Sequence, residues 1–288
     1  MNYLQFNDKG KFEPEEQALA NYFDSIKQSY KGFYKKHFLR DRFQITKEDF
    51  ISGDIDVMFH AMKRLGINYS YNDYPECLKS YLHRKIWEST LGEVRKRLFD
   101  DLGNEVELGL NWFIKPKDKL KRFTGFVCET IDDLSKCAGA GNQTKIWCSE
   151  PVAFLNEFRC YFLKSSVEEN FPFPKGDPEP FKLECKIGSF RGETPNSNIL
   201  EALRLIGSEI QWSPIFGEDF PKAFALDIGE LSNGHVALIE MNDAFSLGLY
   251  KGCPEDFYAK CLIARWEDLK RARTYSLVFK EEIDIKKE

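Results

Sequence analysis

Near residue 104 the spacing of apolar residues changes, and that change limits the folds open to the chain. Before it, apolar side chains recur every three or four positions. Pro14 followed by Glu15 and Glu16 is a helix start, and Leu19, Tyr22, Phe23, Ile26 and Tyr30 continue at helical spacing. Ile55, Met58, Phe59, Met62 and Leu65 form a second stripe, closed by Gly66. Residues from Glu76 to Asp100 read as a third helical region, and only Arg42–Thr46 alternates like a strand. These stripes read as core faces. After residue 104 come short β runs: Leu110–Lys115, Phe123–Cys128, Lys145–Ser149, 156–164, 181–187, 223–228 and 235–241. A short helix at Ile131–Cys137, a helix at 196–208 and a closing helix at Pro254–Arg273 complete the pattern. The expectation is an α+β fold: a mostly helical part over 1–104, a catalytic region over 105–273 and a charged tail over 274–288.

Composition narrows the partners. At 288 residues, 42% hydrophobic and 30% charged, the chain is a globular protein of about two domains. A net charge of −5 gives no global positive field, so neither nucleic acid nor an anionic membrane is an expected partner. Apolar runs stop at four residues, against the ~20 a spanning helix needs. The N-terminus shows no basic-then-apolar signal segment, and a soluble, cytoplasmic protein is expected. The eight cysteines include no C-x-x-C pair and read as buried free thiols; the four histidines stand singly.

Three clusters can carry chemistry. Lys115–Arg122 holds five positive charges and one negative after a strand. A lysine on a rigid strand with a basic loop beside it suits phosphate, and the same residues also suit a solvated hairpin tip. In Asn156–Phe162, alternation puts Glu157, Arg159 and Tyr161 on one face and Phe158, Cys160 and Phe162 on the other. An acid and a base so placed could equally form a cross-strand ion pair. Third, Asp227 lies in one arm of a hairpin, and Glu240 and Asn242 share a face of the other. Their oxygens suit Mg²⁺, and acids beside apolar runs call for a counter-ion; a solvated face is the alternative.

Taken in order, the lysine strand, the Glu-x-Arg strand and the Asp…Glu-x-Asn hairpin resemble the ATP-grasp superfamily over about 110–252. Ile51-Ser52-Gly53 and Tyr74-Pro75…Tyr81-Leu82…Arg84 resemble its compact bacterial and phage clade. The resemblance implies two α+β subdomains gripping ATP and an ATP-dependent ligation, commonly carboxylate to amine. It implies that Lys115, with Lys117 as a second contact, meets the phosphates, with 117–125 as the covering loop. In Trp147–Val152 the backbone of Glu150 and Val152 would read the adenine edge, with Glu157 beside the nucleotide. Asp227, Glu240 and Asn242 would hold Mg²⁺, and Arg159 would approach the γ-phosphate or an acyl phosphate. Arg191 is a candidate second arginine, in a stretch that departs from the commonest family pattern. Cys137–Gly141 reads as a turn because it follows a helix. A small molecule, amino acid or peptide would be the substrate, with the loop 165–181 shaping its pocket; a kinase and a non-catalytic nucleotide-binding module are the alternatives. The oligomeric state is not legible.

Overall fold

Short strands, not helices, open the chain in the computed structural model, which describes residues 1–69, 72–98, 111–117, 122–166, 181–212 and 220–271. Strands β1 (Asn2–Phe6), β2 (Tyr30–Tyr34) and β3 (Phe50–Ser52) form a parallel sheet in the order β2-β1-β3. The helical reading of the first hundred residues is thereby corrected. Helix α1 (Pro14–Ser25) starts at Pro14 as expected, but it stops before Tyr30. Lys27 takes a left-handed φ of 55° and turns the chain into β2. Strand β3 is buried throughout, so it shows no polar–apolar alternation to read. Helix α2 (Lys35–Phe38) follows β2, and α3 (Ile55–Leu65) follows β3, ending at left-handed Gly66 as expected.

Two further readings change. Arg42–Thr46 is irregular; the Phe43 carbonyl accepts from Arg64 Nη2 at 2.7 Å instead of joining a ladder. Glu76–Asp100 is not one helix. A 3₁₀ turn (Glu76–Tyr81) precedes β4 (Ile86–Thr90) and α4 (Leu91–Arg97), whose first turn Thr90 caps by accepting from the Glu93 N–H. The expected boundary between residues 100 and 110 lies outside the described residues, as do the tail 274–288, most of the loop 165–181 and positions 118–121 of the loop 117–125.

The chain divides into two compact units. The first comprises Met1–Leu78, Asn156–Gly229 and the chain from Leu238 onward. Besides the parallel sheet it holds β8 (Phe158–Ser166), β9 (Phe181–Ser189), α5 (Ser197–Trp212), β10 (Ala223–Glu230), β11 (Val236–Asp243) and α6 (Glu255–Arg271). The four strands form a second sheet, ordered β11-β10-β8-β9. One core joins both sheets: Leu4, Phe23, Phe38 and Met58 belong to the same buried cluster as Tyr161, Ala225, Tyr258 and Trp266. Each of the large apolar side chains, such as Leu4, Phe23 and Met58, contributes roughly 1.5–3 kcal/mol. Trp266 also satisfies its indole, donating to the Asp49 carbonyl at 2.8 Å.

The second unit comprises Lys79–Leu155 and Glu230–Ala237. Strands β4, β5 (Trp112–Pro116), β6 (Phe126–Cys128) and β7 (Lys145–Ser149) make an antiparallel sheet ordered β4-β7-β5-β6. Ile131–Cys137 is a 3₁₀ turn held by a Thr130–Asp133 capping box, and the turn reading of Cys137–Gly141 stands. The core includes Leu91, Val94, Ile114 and Ile146 together with Cys128, Cys137 and Cys148. All eight cysteines are free; burial pushes Cys128 up to about 11 and Cys148 up to about 12, which suits inert packing thiols. No helix among the described residues is long and apolar enough to cross a membrane.

Candidate functional site

In the first unit, the register of β8 against β10 sets Arg159 directly opposite Asp227. Both lie on the face that alternation assigns to Glu157, Arg159 and Tyr161. Arg159 Nε donates to Asp227 Oδ1 at 2.8 Å, and Nη2 donates to Oδ2 at 2.7 Å. Asn242, from β11, donates its amide to Asp227 Oδ2 at 2.8 Å. Asp227 is 2% exposed, so this fork pairing forms out of water, where charge-assisted bonds are strongest. The counter-ion that the apolar surroundings of Asp227 call for is supplied within the protein, by Arg159. Two clusters read separately in the sequence are one, and the cross-strand ion pair is real.

Two more carboxylates adjoin the pair. Burial raises the Glu157 carboxyl, Asp227 and Glu240 raise it further, and Arg159 opposes them. Burial likewise raises Asp227, against the pull of Arg159 and Asn242, while Glu240 adds to the rise. Asp227 is bonded to the guanidinium, while Glu157 and Glu240 act on the pair through their charge, so the local balance is negative. Among the described residues no three His, Cys, Asp or Glu side chains stand close enough to form a metal cage. The donor chemistry still fits Mg²⁺, a hard ion that takes one or two carboxylates and draws its other ligands from water and phosphate oxygens. Asn242 turns its amide nitrogen to Asp227, so its carbonyl oxygen is the end a cation could use.

The far side of Arg159 is closed by a residue the sequence reading missed. The guanidinium carbon lies 4.2 Å from the centroid of the Tyr250 ring. Tyr250 comes close because Gly188, opposite Arg159 on β9, carries no side chain. A Cβ at Gly188 would stand 2.8 Å from Tyr250 Cβ and 2.9 Å from its carbonyl oxygen. Gly188→Ala is expected to cost about 1–3 kcal/mol of stability, read from urea denaturation; unchanged stability would contradict this close approach. A glycine inside a strand marks close backbone contact, but the strand expected at 181–187 stops one residue short of Gly188, which β9 includes. Arg191 lies exposed in the turn after β9, outside this hydrogen-bonded cluster.

The second unit carries the remaining expected residues. Lys115 is half-buried on β5, in register with Trp147 on β7. Lys117 pairs with Glu88 and sits 4.8 Å from the Trp147 ring centroid, so it is already engaged. Glu150 uses its N–H on the Lys85 carbonyl and accepts the Lys85 N–H through its side chain at 3.0 Å. Val152 follows two residues on, half-buried in the irregular stretch after β7.

Comparison with known proteins bears on this geometry. A family profile described as an ATP-grasp domain, R₂K clade family 3, matches residues 27–269. Comparison with curated proteins finds no match. Among solved structures, the RimK domain protein ATP-grasp from Sphaerobacter thermophilus aligns with a TM-score of 0.51 at 10% identity, over 91% of this chain and 100% of that one. The N5-carboxyaminoimidazole synthase from Aspergillus clavatus, in complex with ADP and 5-aminoimidazole ribonucleotide, gives 0.50 at 10% identity, over 93% and 79%. The N5-carboxyaminoimidazole ribonucleotide synthetase from Thermotoga maritima gives 0.50 at 9%, over 91% and 75%. At such identities the likeness speaks for the fold, and the profile match speaks for the family. The chain belongs to the ATP-grasp superfamily, in family 3 of its R₂K clade.

Proposed function

We propose that this protein is an ATP-dependent ligase that joins a carboxylate to an amine through an acyl phosphate, releasing ADP and phosphate. The observation that carries the reading is the cluster of Glu157, Asp227, Glu240 and Asn242 around Arg159, on a family match that spans most of the chain. In the first unit, Asp227, Glu240 and Asn242 are assigned to Mg²⁺, which when bound neutralises phosphate charge. Arg159 steadies Asp227 and offers its remaining Nη1 end to an anionic oxygen. Arg191 is assigned to the incoming substrate. In the second unit, Lys115 and Lys117 are assigned to phosphate, and the Glu150 carbonyl with the Val152 N–H to adenine. Transfer of the γ-phosphate to a carboxylate brings two anions together, and fixed positive groups lower that barrier because they need no reorganisation. The acceptor class is a small molecule, an amino acid or a peptide.

The test has two stages. Mg·ATP at ~100-fold over Kd is expected to stabilise the fold by ~2.7 kcal/mol, seen as a raised thermal midpoint; an unmoved midpoint would remove nucleotide binding from the proposal. Incubation with Mg·ATP and pools of amino acids, peptides and carboxylic acids should then release ADP and phosphate together with a new amide mass. A stable phosphorylated acceptor in place of the amide would make the protein a kinase.

A further inference from the structure

The Arg159 guanidinium is held on two sides within the first unit. Its Nε–Nη2 edge is fixed by Asp227 at 2.8 and 2.7 Å, and one face lies over the Tyr250 ring at 4.2 Å. The remaining end, Nη1, is 3.5 Å from where a side chain at Gly248 would begin. Tyr250 is itself fixed. Its N–H donates to the Tyr161 hydroxyl at 2.9 Å, and that hydroxyl donates to the Gly248 carbonyl at 2.6 Å. The Ser189 N–H donates to the Lys251 carbonyl at 2.8 Å, tying the same segment to β9. Phe190 meets the Tyr250 ring edge-on, with centroids 5.6 Å apart. Backbone and side chains from β8 and β9 therefore converge to place one aromatic ring against one guanidinium.

We infer that Tyr250 is a positioning residue for Arg159: its ring fixes the plane of the guanidinium, so that Nη1 is the end presented to an anionic oxygen of the transferring group. The planar, delocalised guanidinium suits this arrangement, because it stacks on an aromatic face while its edge stays hydrogen-bonded. The Asp227 fork sets the direction of the group, and the ring stops it tilting outward. This assignment rests on the proposed ligase reading for its catalytic consequence, and on geometry alone for the contact.

The experiment compares Tyr250→Leu and Tyr250→Phe with the wild type by ADP release, Mg·ADP affinity and the Nε–H resonance of Arg159 in protein labelled with ¹⁵N-arginine. Tyr250→Leu should lower kcat by about tenfold or more while Mg·ADP affinity moves less than about threefold, and Tyr250→Phe should recover most of the loss. The Arg159 resonance should move in the leucine variant and stay near its wild-type position in the phenylalanine variant, because the ring current persists. If the leucine variant does not fold, Tyr250→Gln, which keeps bulk without an aromatic face, takes its place with the same expected result. A wild-type kcat in the ring-less variant overturns the proposal, and an equal loss in Tyr250→Phe assigns the effect to the hydroxyl and overturns it as well. An unmoved resonance overturns the contact itself. If the wild-type protein releases no ADP with any acceptor, the ligase reading fails, and the resonance still decides whether Tyr250 holds Arg159.

Discussion

Arg159→Leu is expected to destabilise the protein by about 3–5 kcal/mol at neutral pH, the cost of leaving a buried charge without its partner. Asp227 is 2% exposed, and the variant would leave its carboxylate with the Asn242 amide while Glu240 and Glu157 repel it. Burial already raises this carboxyl, and Arg159 is the largest opposing influence. Without Arg159 the folded-state value climbs further above the unfolded value of about 3.9. The sign follows from linkage. A raised folded value means that the folded state binds a proton the unfolded state releases, so stability is best preserved below about pH 4 and falls as pH rises toward the folded value. Urea denaturation at pH 4.5 and 7.5 should therefore show a smaller deficit at the lower pH. The double variant Arg159→Leu/Asp227→Leu should regain most of the loss, since paired removal leaves no orphaned charge. Equal stability of the single variant and the wild type at pH 7.5 would mean that the fork pair does not anchor β8 to β10.

In the sheet that carries this pair, β8 was legible because it alternates, and β10 because its longer apolar run ends in a readable turn. Glu157, Arg159 and Tyr161 fell on one face by period two, and the turn at Ser232–Gly234 was readable from a glycine that here takes a φ of 83°. The N-terminal parallel sheet was not legible. Strand β3 is buried throughout, and Tyr30 happens to continue the spacing of α1. Arg42–Thr46 failed in the opposite way, since it alternates yet has its Phe43 carbonyl taken by Arg64. Within the site, the residue types could be named, but their pairing depends on a register between residues 68 positions apart, which no local pattern encodes. That is why Asp227 and Arg159 were read as separate clusters. Tyr250 escaped notice because Ala244–Tyr250 follows no period, and its place is set by tertiary contacts with Gly188 and Tyr161.

Glu240→Gln is expected to lower ADP release by ~10²–10³-fold, the range for losing one electrostatic contact at a charge-transfer centre. Unlike Asp227, Glu240 is half-buried, and the change removes one negative charge while keeping the side chain's size. Stability should not fall with it. The Glu240 charge is among those raising Glu157, so its removal lets that carboxyl drop back toward the ordinary range. A group with a raised folded value loses stability as pH increases, and relieving the rise returns some of it at pH 7.5. The variant should accordingly unfold at the same urea concentration as the wild type or slightly above. Its kinetic defect should be tied to the cation: the Mg²⁺ concentration for half-maximal turnover should rise, and excess Mg²⁺ should recover part of the rate. Asn242→Ala should shift the Mg²⁺ requirement in the same direction by removing a neutral donor. A loss of turnover that Mg²⁺ does not influence would place Glu240 against the substrate and not against the ion. Unchanged turnover would take it out of the site altogether.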